Sequence, residues 1–271
     1  MRKKVITWLW ISVYIIIILL ILLLNFIEDP ILVINYNNTK STIVYDVNNQ
    51  EVLYAENIHK KMLPASLTKV LTLLTAYHNI NLEEFVLIDH EIINSVGSRI
   101  YLELNDYIQI KDLLYGLILQ SGNDAALAIS KAYSNNPEDF ILKMNEEVSK
   151  LGLKNSYFSN PSGLDEDSYN YTTTYDFVKI TEATIKIPLL KEILGTSKYT
   201  IKLDNKNLYL NHKHKLINRI DGFIGGKTGY TKKAGRTLVS ILEKENKLLI
   251  VVTFNDSNDW QTHMSLAKKF L

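Results

Sequence analysis

The spacing of apolar residues changes character along this chain, and each change marks an element. From Val5 to Leu24 the run is apolar, with Thr7 and Ser12 its clearly polar members. About 20 residues rising about 1.5 Å each cover about 30 Å, the hydrocarbon thickness of a bilayer. Arg2, Lys3 and Lys4 precede the run, and no small-x-small cleavage site follows in Asn25-Phe26-Ile27-Glu28-Asp29-Pro30. Residues 1–27 are therefore expected to be a short cytoplasmic stub and one transmembrane signal-anchor. Residues 28–40 read as a polar stalk, with the rest of the chain outside the membrane.

Beyond the stalk, strand and helix periods alternate. Thr42–Val47 and Glu51–Tyr54 are β-rich runs around Asn48-Asn49-Gln50, which predicts a hairpin. From Ser66 to Tyr77 the apolar residues circle a helix almost completely, so that helix is expected in the middle of a domain. Ile110, Leu113, Leu114, Leu117 and Ile118 share one face of a helix ending near Gln120. A second helix opens at Asp124 and runs through Ala132. A third begins at Pro137, carries Phe140, Met144, Val148 and Leu151 on one stripe, and stops at Gly152. Thr173-x-x-Asp176 caps a fourth, ended by Pro188.

Strands then return at Phe223–Tyr230, Thr237–Leu242 and Leu248–Phe254, the last two joined by a turn at Lys244-Glu245-Asn246-Lys247. Trp260, Met264, Ala267 and Phe270 mark a closing amphipathic helix. The prediction is an α+β fold, an antiparallel sheet built from both chain ends with an inserted helical lobe.

Composition narrows the chemistry. The 271 residues contain no cysteine, which excludes disulfides, thiol nucleophiles, Cys-zinc sites and a lipidated cysteine. Net charge is +1 with no basic tract, so nucleic acid is not an expected partner. His212-x-His214 has the spacing of a metal pair on a strand. No acidic or cysteine partner stands at ligand distance in the sequence, so two exposed histidines are expected instead.

Three short strings carry the candidate chemistry. In Ser66-Leu67-Thr68-Lys69 the serine and lysine lie one helical turn apart. A serine hydroxyl needs a base to become a nucleophile. Lys69, the lone charge on an apolar helix, is that base if burial holds its amine neutral, helped by a second cation for which Lys227 is the candidate. In Ser121-Gly122-Asn123, between two predicted helices, Ser121 is placed to relay a proton between Lys69 and a leaving amine. The Asn123 amide is placed to bond a substrate carbonyl and the lysine.

Gly225-Gly226-Lys227-Thr228-Gly229-Tyr230 lies on a predicted strand, where glycine gives clearance for an extended peptide along an edge. Lys227, Thr228 and Gly229 suit a substrate with a free carboxylate. The Tyr230 and Ser66 backbone N–H groups are the candidate oxyanion hole. A phosphate loop is excluded, because Asp221 stands where its first glycine belongs.

In this order the strings match the S-x-x-K, S-x-N and K-T-G series of penicillin-interacting serine enzymes. Pro64-Ala65-Ser66-Leu67-Thr68-Lys69, Gly226-Lys227-Thr228-Gly229-Tyr230-Thr231 with Ala234-Gly235, Asn160-Pro161-Ser162-Gly163-Leu164-Asp165 and Asn258-Asp259-Trp260 extend the likeness from about residue 41 to the C-terminus. The chain resembles the low-molecular-mass penicillin-binding proteins, D-alanyl-D-alanine carboxypeptidases of the S11 peptidase family.

The resemblance implies a β-lactamase/DD-peptidase-like catalytic domain over residues 41–271. It implies acylation of Ser66 by peptidoglycan stem peptides ending in D-Ala-D-Ala, loss of the terminal D-alanine, and hydrolysis. β-Lactams become covalent inhibitors, and neither metal nor cofactor is expected. The setting implied is a bacterial cell membrane crossed once, with the catalytic domain extracellular. Many members add a C-terminal β-domain; none is expected here, and anchoring falls to the N-terminus. Ser162 replaces a histidine common in the family.

Three rival readings share parts of this pattern. A class A-like β-lactamase would need a deacylating glutamate, and Glu166-x-x-Tyr169-Asn170 has the spacing, although its flanks fit the peptidase better. A DD-endopeptidase of cross-linked peptidoglycan would use the same residues. A non-catalytic cell-wall binding module is disfavoured by the intact serine, lysine and K-T-G.

Overall fold

Strands form at the two ends of the chain and meet in one sheet. In the computed structural model, which describes residues 39–165, 169–204 and 206–271, β1 (Ser41–Asp46) and β2 (Glu51–Glu56) make the N-terminal hairpin. The five-stranded antiparallel sheet runs β2-β1-β9-β8-β7, with β7 (Phe223–Thr231), β8 (Gly235–Lys244) and β9 (Lys247–Phe254) from the C-terminal third. The strand of the third motif, β7, is thus an edge. The expected transmembrane anchor, nearly all of the stalk, and Glu166 lie outside the described residues. Among the described residues no helix is long and apolar enough to cross a membrane.

Both faces of this sheet are covered, which is why β8 and β9 read as continuous apolar runs rather than alternating ones. Ile43, Val252, Val239 and Lys227 are cross-strand neighbours on the face toward the helical lobe. Val44, Val251, Ser240 and Gly226 lie on the opposite face, under the closing helix α8 (Asp259–Phe270).

Between the strand segments lies the helical lobe. Its central helix α1 (Thr68–Asn79) is buried from Thr68 through Ala76, the wrapped burial its sequence predicts. Sinking Leu71, Leu73 and Leu74 completely contributes about 1.5–3 kcal/mol each. Around α1 pack α3 (Ile110–Leu119), α4 (Asn123–Tyr133), α5 (Pro137–Lys150) and α6 (Thr174–Ile185). Thr173 caps α6 by accepting the Asp176 N–H through its hydroxyl at 3.0 Å.

Several elements depart from the sequence reading. Ser66 is not inside the α-helix but in a 3₁₀ turn, Ala65–Leu67, that leads into it. Pro188 does not merely end α6; it opens a new helix, α7 (Pro188–Gly195), where its missing N–H costs nothing. Two small two-stranded sheets and a one-turn helix escaped the periodicity: β3 (Phe85–Leu87) with β4 (Tyr107–Gln109), β5 (Lys198–Lys202) with β6 (Asn207–Asn211), and α2 (His90–Ile93) between β3 and β4. The histidines expected at the surface are instead packed inward, His214 fully.

Candidate active site

Burial of a lysine is the organising fact of this site. The Lys69 side chain enters from the first turn of α1 and is fully buried. Its Nζ lies 3.1 Å from Ser66 Oγ, 2.8 Å from Asn123 Oδ1 and 2.6 Å from the Ser162 carbonyl oxygen. A neutral amine has two N–H groups and one lone pair. Asn123 Oδ1 and Ser162 O are pure acceptors and take the two hydrogens, which leaves the lone pair directed at the Ser66 hydroxyl. Burial, then the Lys213 ammonium, lower the Lys69 pKa from 10.5 to about 7, against the opposing pull of Asp124.

Asn123 opens α4, and its amide orientation is fixed by its partners, since Nδ2 donates to the Val96 carbonyl at 2.6 Å. Next to it, the buried Asp124 carboxylate accepts N–H groups from Ile100, Tyr101 and Leu102, pinning the loop that lines the cleft. Ser121 sits just before α4 in the left-handed region at φ 59°, and Ala65 just before Ser66 at φ 49°. Non-glycine residues pay of order 1–2 kcal/mol there. Two such residues, one bearing and one adjoining a motif serine, indicate backbones held by their surroundings to aim side chains.

Lys227 comes from edge strand β7 and is as buried as Lys69. Its Nζ donates to Ser121 Oγ at 2.9 Å and to the Thr228 carbonyl at 2.7 Å. Burial first, then the charges of Lys69 and Lys213, hold it well below the ordinary lysine range. Two residues on, Gly229 crosses over the nucleophile: a Cβ there would stand 3.0 Å from the Ser66 backbone N and 2.3 Å from Thr237 Oγ1. Tyr230 is exposed at the rim.

These residues open on a cleft of about 310 Å³ lined by Ser66, Ser121, Thr228, Gly229 and Tyr230. The same cleft is lined by Ser98, Lys213, Lys215 and Arg236, to which the sequence reading gave no role, and by Asp259 and Trp260, which it read only as part of the closing segment. Arg236 is braced by Asp259 through Nε and Nη2 at 3.0 and 2.8 Å. Lys213 reaches Ser98 Oγ at 3.2 Å. The sequence assigned the second cation near Lys69 to Lys227. The structure couples Lys227 to Lys69 and adds a third cation, Lys213, from a His-Lys-His string with no periodic signal.

The rival glutamate, Glu166, lies outside the described residues, but its companion can be followed. Asn170 Nδ2 donates to Thr68 Oγ1 and to the Asn160 carbonyl, both at 3.0 Å, and Oδ1 accepts the Ser159 and Asn160 N–H groups. Its amide thus ties the 159–160 turn to α1. Among the described residues no cluster of three metal-ligating side chains occurs.

The family model of D-alanyl-D-alanine carboxypeptidases, peptidase family S11, matches residues 34–258. The D-alanyl-D-alanine carboxypeptidase DacF of Bacillus subtilis is 31% identical over 235 residues, 84% of this chain and 60% of that one. The chain therefore spans only about three-fifths of that relative's length. A D-alanyl-D-alanine endopeptidase of Haemophilus influenzae is 29% identical, over 81% of this chain and 76% of its own. Among solved structures, a mutant of Streptomyces K15 DD-transpeptidase superimposes with a TM-score of 0.78 at 25% identity, covering 85% of this chain and 97% of that one. With five-sixths of its residues matched by the family model and the α+β architecture of DD-peptidases, the chain belongs to the D-alanyl-D-alanine carboxypeptidase family, peptidase S11.

Proposed function

We propose that the protein is a serine-type D-Ala-D-Ala carboxypeptidase that removes the terminal D-alanine from peptidoglycan stem pentapeptides and is acylated by penicillins. The observation that carries this reading is the buried Lys69 Nζ standing 3.1 Å from Ser66 Oγ, with Asn123 Oδ1 and the Ser162 carbonyl as its other two partners. Neutral Lys69 takes the Ser66 proton as Oγ attacks the carbonyl carbon of the penultimate D-alanine. The developing oxyanion is held by the Ser66 and Tyr230 backbone N–H groups.

Lys227 donates to Ser121 Oγ, which leaves the Ser121 hydroxyl hydrogen free to pass to the departing amine, to be replaced from Lys69. D-Alanine leaves, and water activated by Lys69 hydrolyses the Ser66 ester. Asn123 Nδ2 has one N–H beyond its bond to Val96 for the substrate carbonyl. Because Lys227 is sealed off, the carboxylate of the leaving residue is assigned to the Thr228 hydroxyl and to the cations that open on the cleft, Lys213, Lys215 and Arg236. Residues 41–271 are the catalytic domain in this reading. The apolar run within residues 1–27 and its basic flank support a single-pass anchor in a bacterial cell membrane, with the stalk and catalytic domain outside.

The purified protein should release D-alanine from a stem-pentapeptide mimic, and benzylpenicillin should stop that release by adding its mass to the peptide containing Ser66. The reacting form is the neutral amine, so acylation should fall as pH drops through about 7, tenfold per unit below it. Release of D-alanine that persists unchanged at pH 5 would refute Lys69 as the base. Hydrolysis of penicillin within seconds, with no lasting adduct, would move the assignment to a β-lactamase.

A further inference from the structure

The segment that joins β6 to β7 carries Lys213 between two histidines that the mechanism does not use. His212 N–H donates to the Ser197 carbonyl at 2.9 Å and Lys213 N–H to the Leu119 carbonyl at 3.1 Å. Each histidine then ties the chain to itself: His212 Nδ1 accepts the His214 N–H at 3.0 Å, and His214 Nδ1 accepts the Leu216 N–H at 3.3 Å. A ring nitrogen that accepts from a backbone N–H carries no hydrogen, so both rings are neutral with the hydrogen on Nε2.

His214 Nε2–H points at the Val239 carbonyl, 3.1 Å away, and at Ser240 Oγ, 3.2 Å away. Ser240 Oγ reaches His263 Nδ1 at 2.8 Å, and His263 Nε2 reaches Thr253 Oγ1 at 3.1 Å. The hydrogens can therefore run in one direction, from the cleft segment through β8 to α8 and β9. The His214 ring fills the space above Gly226, where a Cβ would come within 2.9 Å of it, and stacks edge-on to Trp260 at 5.0 Å. Adjacent residues thus face opposite ways, His214 behind the K-T-G strand and Lys213 into the cleft.

We propose that His214, Ser240 and His263 form a positioning relay that holds the Lys213 ammonium in the cleft beside the Ser66–Lys69 pair. The inference rests on reading Lys69 as the general base of the proposed function, and the Lys69 titration is its readout. The charged and titratable groups facing Lys69 are Asp124 from α4, Lys227 from β7 and Lys213 from the segment itself. Those facing the relay are His212, Lys227 and Asp256. Of these, only Lys213 sits on the segment the histidines fix and faces Lys69. Burial keeps all three rings neutral well below pH 6.5, so the relay stays intact across the working range.

The test titrates Lys69 directly, by NMR of ¹³C-lysine-labelled 271-residue protein in detergent, with the signal assigned through Lys69→Met. Removing a nearby ammonium raises the pKa of its neighbour, so Lys213→Ala should move the Lys69 midpoint up by about half a unit or more. His214→Ala should reproduce that shift, and Ser240→Ala should give a smaller one in the same direction. The acid limb of penicillin acylation should follow each. His214→Gln, which can still donate to Val239, should restore part of the wild-type midpoint.

A Lys69 midpoint unchanged in both His214→Ala and Ser240→Ala, with only thermal stability lowered, overturns the relay. So does an unchanged midpoint in Lys213→Ala. If His214→Ala does not fold, Ser240→Ala decides alone. A wild type that titrates as described but takes no penicillin would defeat the functional reading and leave this one standing.

Discussion

Ser66→Ala and Lys69→Met should both abolish covalent penicillin labelling and D-alanine release, yet shift thermal stability differently. Without the hydroxyl there is no acyl-enzyme. Without the amine the hydroxyl must be deprotonated by water, a loss of at least about 10²–10⁴ in rate for a missing general base. Stability separates the two. Lys69 is a fully buried amine whose pKa falls from 10.5 to about 7 on folding. A depression of that size corresponds to a destabilisation of order 5 kcal/mol whenever both states are protonated.

The sign of the pH dependence follows. Below pH 7 the folded and unfolded chains both carry the proton, and the penalty is complete. Between 7 and 10.5 the unfolded chain binds more protons, so wild-type stability climbs with pH. Methionine removes the charge but strands Asn123 Oδ1 and Ser162 O without their donor, each a cost of about 1–3 kcal/mol. The net expectation is a Lys69→Met protein that melts a few degrees above wild type at pH 6, an advantage that shrinks above pH 7 and reverses before pH 10. Ser66→Ala should track wild type at every pH. A Lys69→Met melting difference with no pH dependence would mean that the amine is not held out of water as described.

The parts of this architecture visible in the chain were those with local causes. Apolar residues on every side of Lys69 announce its burial, and a three-residue offset from Ser66 announces their approach. The continuous apolar runs of β8 and β9 announce strands covered on both faces. Other features depend on what arrives from elsewhere. Pro188 stops one helix and starts another, and the residue alone does not say which. The three-residue strands Phe85–Leu87 and Tyr107–Gln109 are too short to show a period.

His214 is buried because Gly226 leaves a hollow above the sheet for its ring, a fact of β7 and not of the histidine's own neighbours. Lys213 matters because its backbone is bonded to Leu119 at the end of α3, far away in sequence. Long-range packing, not propensity, brings it to Lys69. The same holds for the turn that supplies Ser162.

Gly163→Ala should cripple both folding and chemistry, whereas Gly152→Ala should affect neither much. Both glycines are left-handed, at φ +84° and +71°, so each alanine pays about 1–2 kcal/mol for the conformation. Their surroundings differ. Nothing lies within 4 Å of a Cβ at Gly152, in the turn after α5. At Gly163 the same atom would stand 1.9 Å from the Ala65 carbonyl oxygen and 2.4 Å from its carbon, backbone that carries Ser66.

The Gly163 turn cannot simply step aside. Asn160 Oδ1 accepts the Ser162 and Gly163 N–H groups at 3.2 and 2.7 Å, and Asn170 holds Asn160 against α1. Relief therefore displaces either the Ser162 carbonyl, one of the two acceptors that orient the Lys69 amine, or the Ala65–Leu67 turn that presents the nucleophile. The expected result is a melting point at least about 10 °C lower and penicillin acylation slowed about 10²-fold or more, for a clash of several kcal/mol. Calorimetry and stopped-flow acylation on the pair of variants give the answer. Equal, small effects from both alanines would show that the Asn160–Asp165 turn does not press on the nucleophile's backbone and has no part in aiming Lys69.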